Sequence, residues 1–174
     1  KTKTLNQIIP NLPIATASGL RYASINAGQI DNKGYEVQLG LVPIKTANIG
    51  WNIDVNWSKN ENTVVSLLHN DKTDVSNLLL NSFQGGVSLN AREGEAWGTL
   101  IGSDYVYLNG QRVVGSNGRY LKSSNQVIGN TTPDWIGGVR NTFKYKDFSL
   151  SFLIDVRHGG DVFSTDMYYG LATG

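Results

Sequence analysis

Two imidazoles, His69 and His158, are the first residues in this sequence that invite chemistry, and each sits alone in a polar or glycine-rich stretch. A Ser-His-Asp arrangement needs nucleophile, base and orienting acid within hydrogen-bond reach. Neither histidine has such company in the sequence, so both are expected to be solvated. Glu93 and Glu95, in AREGEAW, are spaced so that a strand would put both carboxyls on one face. A retaining glycosidase uses two carboxyls about 5 Å apart, one held protonated by its surroundings. Nothing flanking this pair would raise either pKa, and it reads as a solvated loop. In HNDKTD, Asn70, Asp71 and Asp74 are oxygen donors of the kind calcium takes, but the glycine and terminal glutamate of an EF-hand loop are missing. A charged turn is expected there. The glycine pairs at 85–86, 137–138 and 159–160 precede no helix with a Lys-Ser/Thr step, so they are not phosphate cradles. They are expected to let a sheet bend or strands approach closely. Cysteine is absent, which removes thiolate metal sites and disulfides. The expectation is a protein that is not an enzyme and uses no cofactor.

Binding chemistry is better represented. Trp97, Tyr105 and Tyr107 fall in a long polar excursion, where aromatic rings can stack on the apolar face of a sugar or pack against a partner. The same rings serve equally well to pin the excursion against the rim of a sheet. Lysines and arginines are scattered at a net charge of +1, so no basic footprint for nucleic acid exists.

The elements that position these residues are strands. In residues 134–157, Phe148, Leu150, Phe152, Ile154 and Val156 share one face of a pleated strand, and Ser149, Ser151, Asp155 and Arg157 share the other, with Leu153 the exception. Before the turn at Lys144 to Asp147, Trp135, Val139 and Phe143 oppose Arg140, Thr142 and Lys144. A second hairpin is expected from NKGYEVQLGLVPI, 32–44, a short polar connection at 45–50, and WNIDVNWSKN, where Trp51, Ile53, Val55 and Trp57 alternate with Asn52, Asp54, Asn56 and Ser58. Residues 1–31 read as a loop with weak strand character, and 61–134 as a long excursion, in which 61–130 is either a single excursion or holds two further strands. Within it, 61–100 allows a strand extension and a short helical turn, Asn109-Gly110 and Asn117-Gly118 mark tight turns in a small meander, and 123–133 reads as polar loop. After Arg157 a glycine-rich stretch leaves the sheet. No segment of useful length has a 3.6-residue period, so the fold class is antiparallel all-β. No signal peptide is visible, and the polar start at Lys1 and uncapped end at LATG suggest a piece of a longer protein.

Alternation fits a soluble sandwich with one buried face and a transmembrane barrel with one lipid face alike. No run approaches the roughly 18 apolar residues of a membrane helix, so any membrane crossing would use strands. Three features favour the barrel. Strands of about nine to eleven residues suit a tilted crossing of hydrocarbon. Connections alternate short and long, as in outer-membrane barrels. Aromatics gather beside the short turns, Tyr145 and Phe148 at one and Trp51 at the other, as ring girdles do at a headgroup boundary. On that reading Trp51, Ile53, Val55, Trp57, Phe148, Leu150, Phe152 and Ile154 face lipid, and Asn52, Asp54, Asn56, Arg140, Asp155 and Arg157 face the lumen. In the alternative, a soluble lectin-like sandwich, the apolar set meets a second sheet.

Three stretches, NKGYEVQLGLVPIKTANIGWNIDVNWSKNENTVVSL, GEAWGTLIGSDYV and GNTTPDWIGGVRNTFKYKDFSLSFLIDVRHGGDVFS, occur in that order across most of residues 24–164. Together they resemble the C-terminal part of the SusC/RagA-type TonB-linked outer-membrane proteins of Bacteroidetes. The resemblance implies a barrel of 22 antiparallel strands, of which this chain supplies a meander of several, with 61–134 as an extracellular excursion. It also implies energy-dependent import of oligosaccharides or peptides through the Gram-negative outer membrane, with a SusD-like surface lipoprotein as lid and TonB as energy coupler. Plug, TonB-box and N-terminal carboxypeptidase-like segments have no counterpart in these residues, so those functions would lie elsewhere in the whole protein.

Overall fold

The computed structural model describes residues 1–6, 8–13, 22–26, 28–70 and 73–173. In chain order its strands are β1 (Thr2–Leu5), β2 (Ile8–Pro13), β3 (Tyr22–Asn26), β4 (Gln29–Lys45), β5 (Ile49–Ser66), β6 (Leu68–Asn70), β7 (Thr73–Val75), β8 (Asn77–Ser82), β9 (Ser88–Arg92), β10 (Trp97–Tyr105), β11 (Tyr107–Leu108), β12 (Gln111–Arg112), β13 (Lys122–Asn130), β14 (Trp135–Tyr145) and β15 (Phe148–His158). A 3-10 turn at Gln84–Gly86 and helix α1 (Thr165–Thr173) are the helical elements among the described residues. The antiparallel all-β class holds. Four local expectations change: strands occupy parts of 1–31, β13 replaces the polar loop at 123–133, α1 follows the final sheet strand, and β4 and β5 run to 17 and 18 residues rather than nine to eleven.

The chain divides into two compact units. The first comprises residues 1, 32–61 and 133–159. Its strands stand in the order β4-β5-β14-β15 within a five-stranded sheet whose remaining edge strand is β1. β14 pairs without a register break with β15, from Trp135 opposite His158 to Tyr145 opposite Phe148, and with β5, from Ile136 opposite Ser58 to Tyr145 opposite Ile49. Unbroken pairing follows from the sequence: both faces of each strand keep period 2, and a slip of one residue would send the apolar set to the polar side. The β4–β5 turn closes through Thr46, whose backbone N–H donates to the Ile49 carbonyl at 2.8 Å while its hydroxyl accepts from the Ile49 N–H at 2.9 Å. The β14–β15 turn puts Lys146 at φ +52, and its N–H donates to the Asn48 carbonyl at 2.8 Å, which ties the two short turns together. At the other end Gly159, at φ +75, passes so close to Asp134 that an added Cβ would lie 2.9 Å from that residue's backbone nitrogen. The glycine there serves a close approach, as expected of its pair.

The second unit comprises residues 2–31, 62–132 and 160–174. The expected excursion contains a four-stranded antiparallel sheet, β13-β10-β9-β8. Its core is Val64, Leu67, Leu78 and Ala91, against which Leu68, Val75, Leu80 and Trp97 pack. Leu100 and Ile101 of β10 are also buried. Asn109-Gly110 makes the β11–β12 turn with both residues at positive φ, +50 and +79, whereas at Asn117-Gly118 only Gly118 turns left-handed. Helix α1 docks on the 3-10 turn through rings: Phe83 stacks on Phe163 at 5.7 Å, and Gly85 leaves room for Tyr168, whose ring an added Cβ would meet at 2.5 Å. That contact, against a helix rather than a neighbouring strand, gives Gly85 its purpose.

Candidate functional site

The long sheet is two surfaces of opposite chemistry. Directly opposed residues in antiparallel strands share a face, so the strand pairing sorts them without ambiguity. Trp51, Ile53, Val55 and Trp57 lie opposite Phe143, Asn141, Val139 and Gly137, which in turn oppose Leu150, Phe152, Ile154 and Val156; Phe148 opposes Tyr145 in the same series. The other face carries Asn52, Asp54 and Asn56 opposite Thr142, Arg140 and Gly138, and these oppose Ser151, Leu153 and Asp155, with Arg157 next beyond.

The apolar face is exposed along β15 and half-buried at Trp51, Ile53, Val55 and Trp57 of β5. Phe148 is 79% accessible and Phe152, the least exposed of its row, 42%. The face ends in aromatics at both extremes. Trp51 stacks on Phe143 at 5.3 Å and Phe143 on Phe152 at 6.2 Å beside the short turns, while Trp135 stacks on His158 at 5.3 Å at the far end. The one polar side chain inside this face, Asn141, accepts a hydrogen bond from the Trp51 indole N–H at 3.2 Å. At about 3.3 Å per residue, the eleven residues of β14 span roughly 35 Å, or roughly 25 Å when tilted by 45°. That is the height of the lipid-facing band of an outer-membrane barrel. On the polar face, Gln38, Asp54, Asn56 and Arg140 line an open depression of about 380 Å³.

The three loop aromatics separate. Trp97 is drawn into the second unit's core cluster, with its backbone N–H held by Asn62 Oδ1 at 2.6 Å. Tyr105 and Tyr107 stay outside, in a group that the sequence reading did not assemble. Tyr105 meets Tyr120 edge-on at 5.6 Å, the Arg112 guanidinium lies 4.4 Å over the Tyr105 ring, and the Lys122 ammonium lies 5.6 Å from it. The signal was present: an Asn-Gly turn at 109–110 makes Tyr107 and Arg112 cross-strand partners.

No protein-family profile matches the chain. Three curated relatives from Formosa agariphila do: TonB-dependent receptor P3, 27% identical over 181 aligned positions, and receptors P39 and P26, each 25% identical. They cover 92%, 92% and 95% of this chain. The chain is similar to TonB-dependent receptors. It spans 18% to 20% of the length of these relatives. Solved structures of the RagAB peptide transporter, and of the RagAB peptide importer in its open-open state, superpose with TM-scores of 0.63 and 0.65 at 17% and 16% identity, over 88% and 91% of this chain and 18% of theirs. Those likenesses carry the fold. The SusC/RagA-type resemblance read from the sequence is borne out.

In this receptor-like chain the residues that first invited catalysis hold structure together. Glu93, read as solvated, accepts the Leu67 N–H at 2.5 Å and the His69 ring through Nε2 at 2.6 Å. Asp74 takes the other ring nitrogen, Nδ1, so His69, half exposed as its setting implied, is also flanked by two carboxylates. Asp71, the remaining acid of the expected charged turn, lies outside the described residues. His158 also has a partner, with Nδ1 3.4 Å from Asp134 Oδ2. The hydrogen bonds to Glu93 and then Asp74 hold the His69 pKa above its ordinary value. A raised folded pKa means that the protonated clasp contributes fully below the unfolded value of about 6.5 and is lost as pH climbs through the raised one. Amide exchange at residues 68–70 is therefore expected to be slower at pH 6 than at pH 9 after correction for intrinsic rates. His69→Gln should remove the difference, and a difference that survives the substitution would refute the clasp.

Proposed function

We propose that this chain is part of the barrel wall of an outer-membrane, TonB-dependent importer. The observation that carries the reading is the exposed apolar face, bounded by aromatics at both ends and roughly 25 Å tall when tilted. In water such a contiguous face would be an aggregation liability; in a bilayer it is the wall that meets lipid. Trp51, Ile53, Val55, Trp57, Phe148, Leu150, Phe152 and Ile154 then face hydrocarbon. Asn52, Asp54, Asn56, Arg140, Asp155 and Arg157 face the lumen, where their hydrogen-bonding groups meet water, plug or solute. The tight turns at 46–48 and 146–147 lie on the periplasmic side, and residues 61–134 form the extracellular excursion that reaches cargo.

The cargo is an oligosaccharide or a peptide, the lid a SusD-like surface lipoprotein, and the energy coupler TonB, acting through parts of the whole protein outside this chain. The likeness to TonB-dependent receptors and to the RagAB transporter supports this assignment. A soluble sandwich would need a second sheet over the apolar face, and the exposure of its β15 row, Phe148 to Val156, speaks against one.

The test is tryptophan fluorescence of the full-length protein in liposomes carrying lipid-attached quenchers, with Trp51 and Trp57 the only tryptophans retained. Strong quenching is the expected result. A folded sample whose two indoles escape quenching would place them against protein and return the chain to the soluble sugar-binding sandwich.

A further inference from the structure

The Tyr105 group has two cations, and the one acid beside it, Asp104, turns its Oδ1 to the Tyr105 backbone N–H at 2.6 Å. Arg112 lies over the Tyr105 ring and 5.7 Å from that of Tyr120, and it stands directly opposite Tyr107 in the β11–β12 hairpin. Lys122 approaches Tyr105 from the partner strand, where Tyr105 and Lys122 are directly opposed. The groups facing the Arg112 charge are Tyr107, Tyr105 and Tyr120, and none is a carboxylate. A guanidinium over a ring face leaves N–H donors for another partner, in the planar fork that suits a carboxylate. Tyr107 and Tyr120 are each about half exposed, at 50% and 52%, and so offer aromatic surface beside those donors.

We propose that Tyr105, Tyr107, Arg112, Tyr120 and Lys122 form a surface subsite for an acidic sugar, a pyranose ring that carries a carboxylate. The inference rests on the importer reading above and narrows its cargo. One sugar face stacks on Tyr107 or Tyr120, the carboxylate receives Arg112 N–H groups, and Lys122 supplies a second positive charge at longer range. Tyr105 is the platform that holds both cations and does not itself stack on the ligand. An acidic peptide presents the same carboxylates, but a bound peptide also needs partners for its backbone. The strands that frame the group, Tyr107–Leu108 and Gln111–Arg112, are two residues each and too short to extend a sheet along it. A sugar asks only for a ring face and a few donors, and the group provides both.

The experiment is calorimetric titration of the full-length protein in detergent with trigalacturonate, its neutral methyl ester and hexaglutamate. Trigalacturonate should bind at least tenfold more tightly than the other two, with affinity falling as salt rises. Arg112→Gln should weaken trigalacturonate about tenfold or more and leave the methyl ester unchanged, and Lys122→Gln should do the same to a smaller degree. Arg112→Lys keeps the charge but loses the fork, and should recover only part of the affinity. Equal binding of ester and acid, tighter binding of hexaglutamate, or indifference to both glutamine variants overturns the subsite. Tryptophan quenching of the full-length protein in liposomes, with Trp51 and Trp57 the only tryptophans retained, tells that outcome from failure of the importer reading, because lipid exposure of those two residues does not depend on cargo.

Discussion

Ile154→Arg is expected to destabilise the full-length protein in lipid vesicles by about 2–4 kcal/mol, whereas Leu153→Arg costs under about 1 kcal/mol. The two residues are neighbours near the middle of β15, and each is 54% exposed. They differ only in the face they occupy. Ile154 stands in the row Val55–Val139–Ile154 at the centre of the apolar surface, while Leu153 stands opposite Arg140 on the polar one. In water an arginine at either half-exposed site would be nearly neutral, within about 0.5 kcal/mol. Against hydrocarbon it must desolvate or distort the bilayer, and near the midplane neither remedy is cheap. Denaturant unfolding of both variants in vesicles reads the difference directly. Equal, small changes would mean that no lipid touches this face.

The same alternation explains why the two faces were legible in the sequence. Each side chain of 51–57 and 148–156 announces its face, and Leu153 is a real exception that the fold tolerates on the polar side. Strand length was less legible, because past Trp57 the residues Lys59, Asn60, Glu61 and Asn62 are polar on both phases, and backbone pairing alone extends β5 to Ser66. Helix α1 left no trace of period because its anchor is tertiary: Tyr168 fits over Gly85 and against Phe163 at 6.2 Å. The β14–β15 turn was found by its position between two alternating runs although Lys146, not Asn or Gly, takes the positive φ. Glu93 was misread for a different reason. Its partners Leu67 and His69 are 26 and 24 residues away, and no local pattern reports such a contact. Arg112, by contrast, was within reach, since the Asn109-Gly110 turn fixes its partner as Tyr107.

Leu67→Ala is the substitution expected to loosen the second unit most, by about 2–5 kcal/mol. Leu67 is 5% exposed and packs in the cluster of Val64, Leu78 and Ala91, while its N–H is the group that Glu93 holds. Truncation leaves a cavity beneath strands whose other neighbours are partly open, and a loss of that size is a large share of the 5–15 kcal/mol that holds a typical domain together. The consequence should reach the tyrosine group. β9 and β10 pair through Leu89 opposite Leu100, and β10 and β13 end their pairing at Tyr105 opposite Lys122, so the spacing of the cations over the Tyr105 ring is inherited from this sheet. Hydrogen exchange in the full-length protein should show amides of 88–92 and 97–105 losing protection in Leu67→Ala. Leu108→Ala, at a site 67% exposed in the same unit, should leave them unchanged. If both variants exchange like the parent, Val64, Leu78 and Ala91 hold the sheet without Leu67; if the tyrosine group still binds trigalacturonate undiminished while β10 has opened, its geometry does not derive from the sheet.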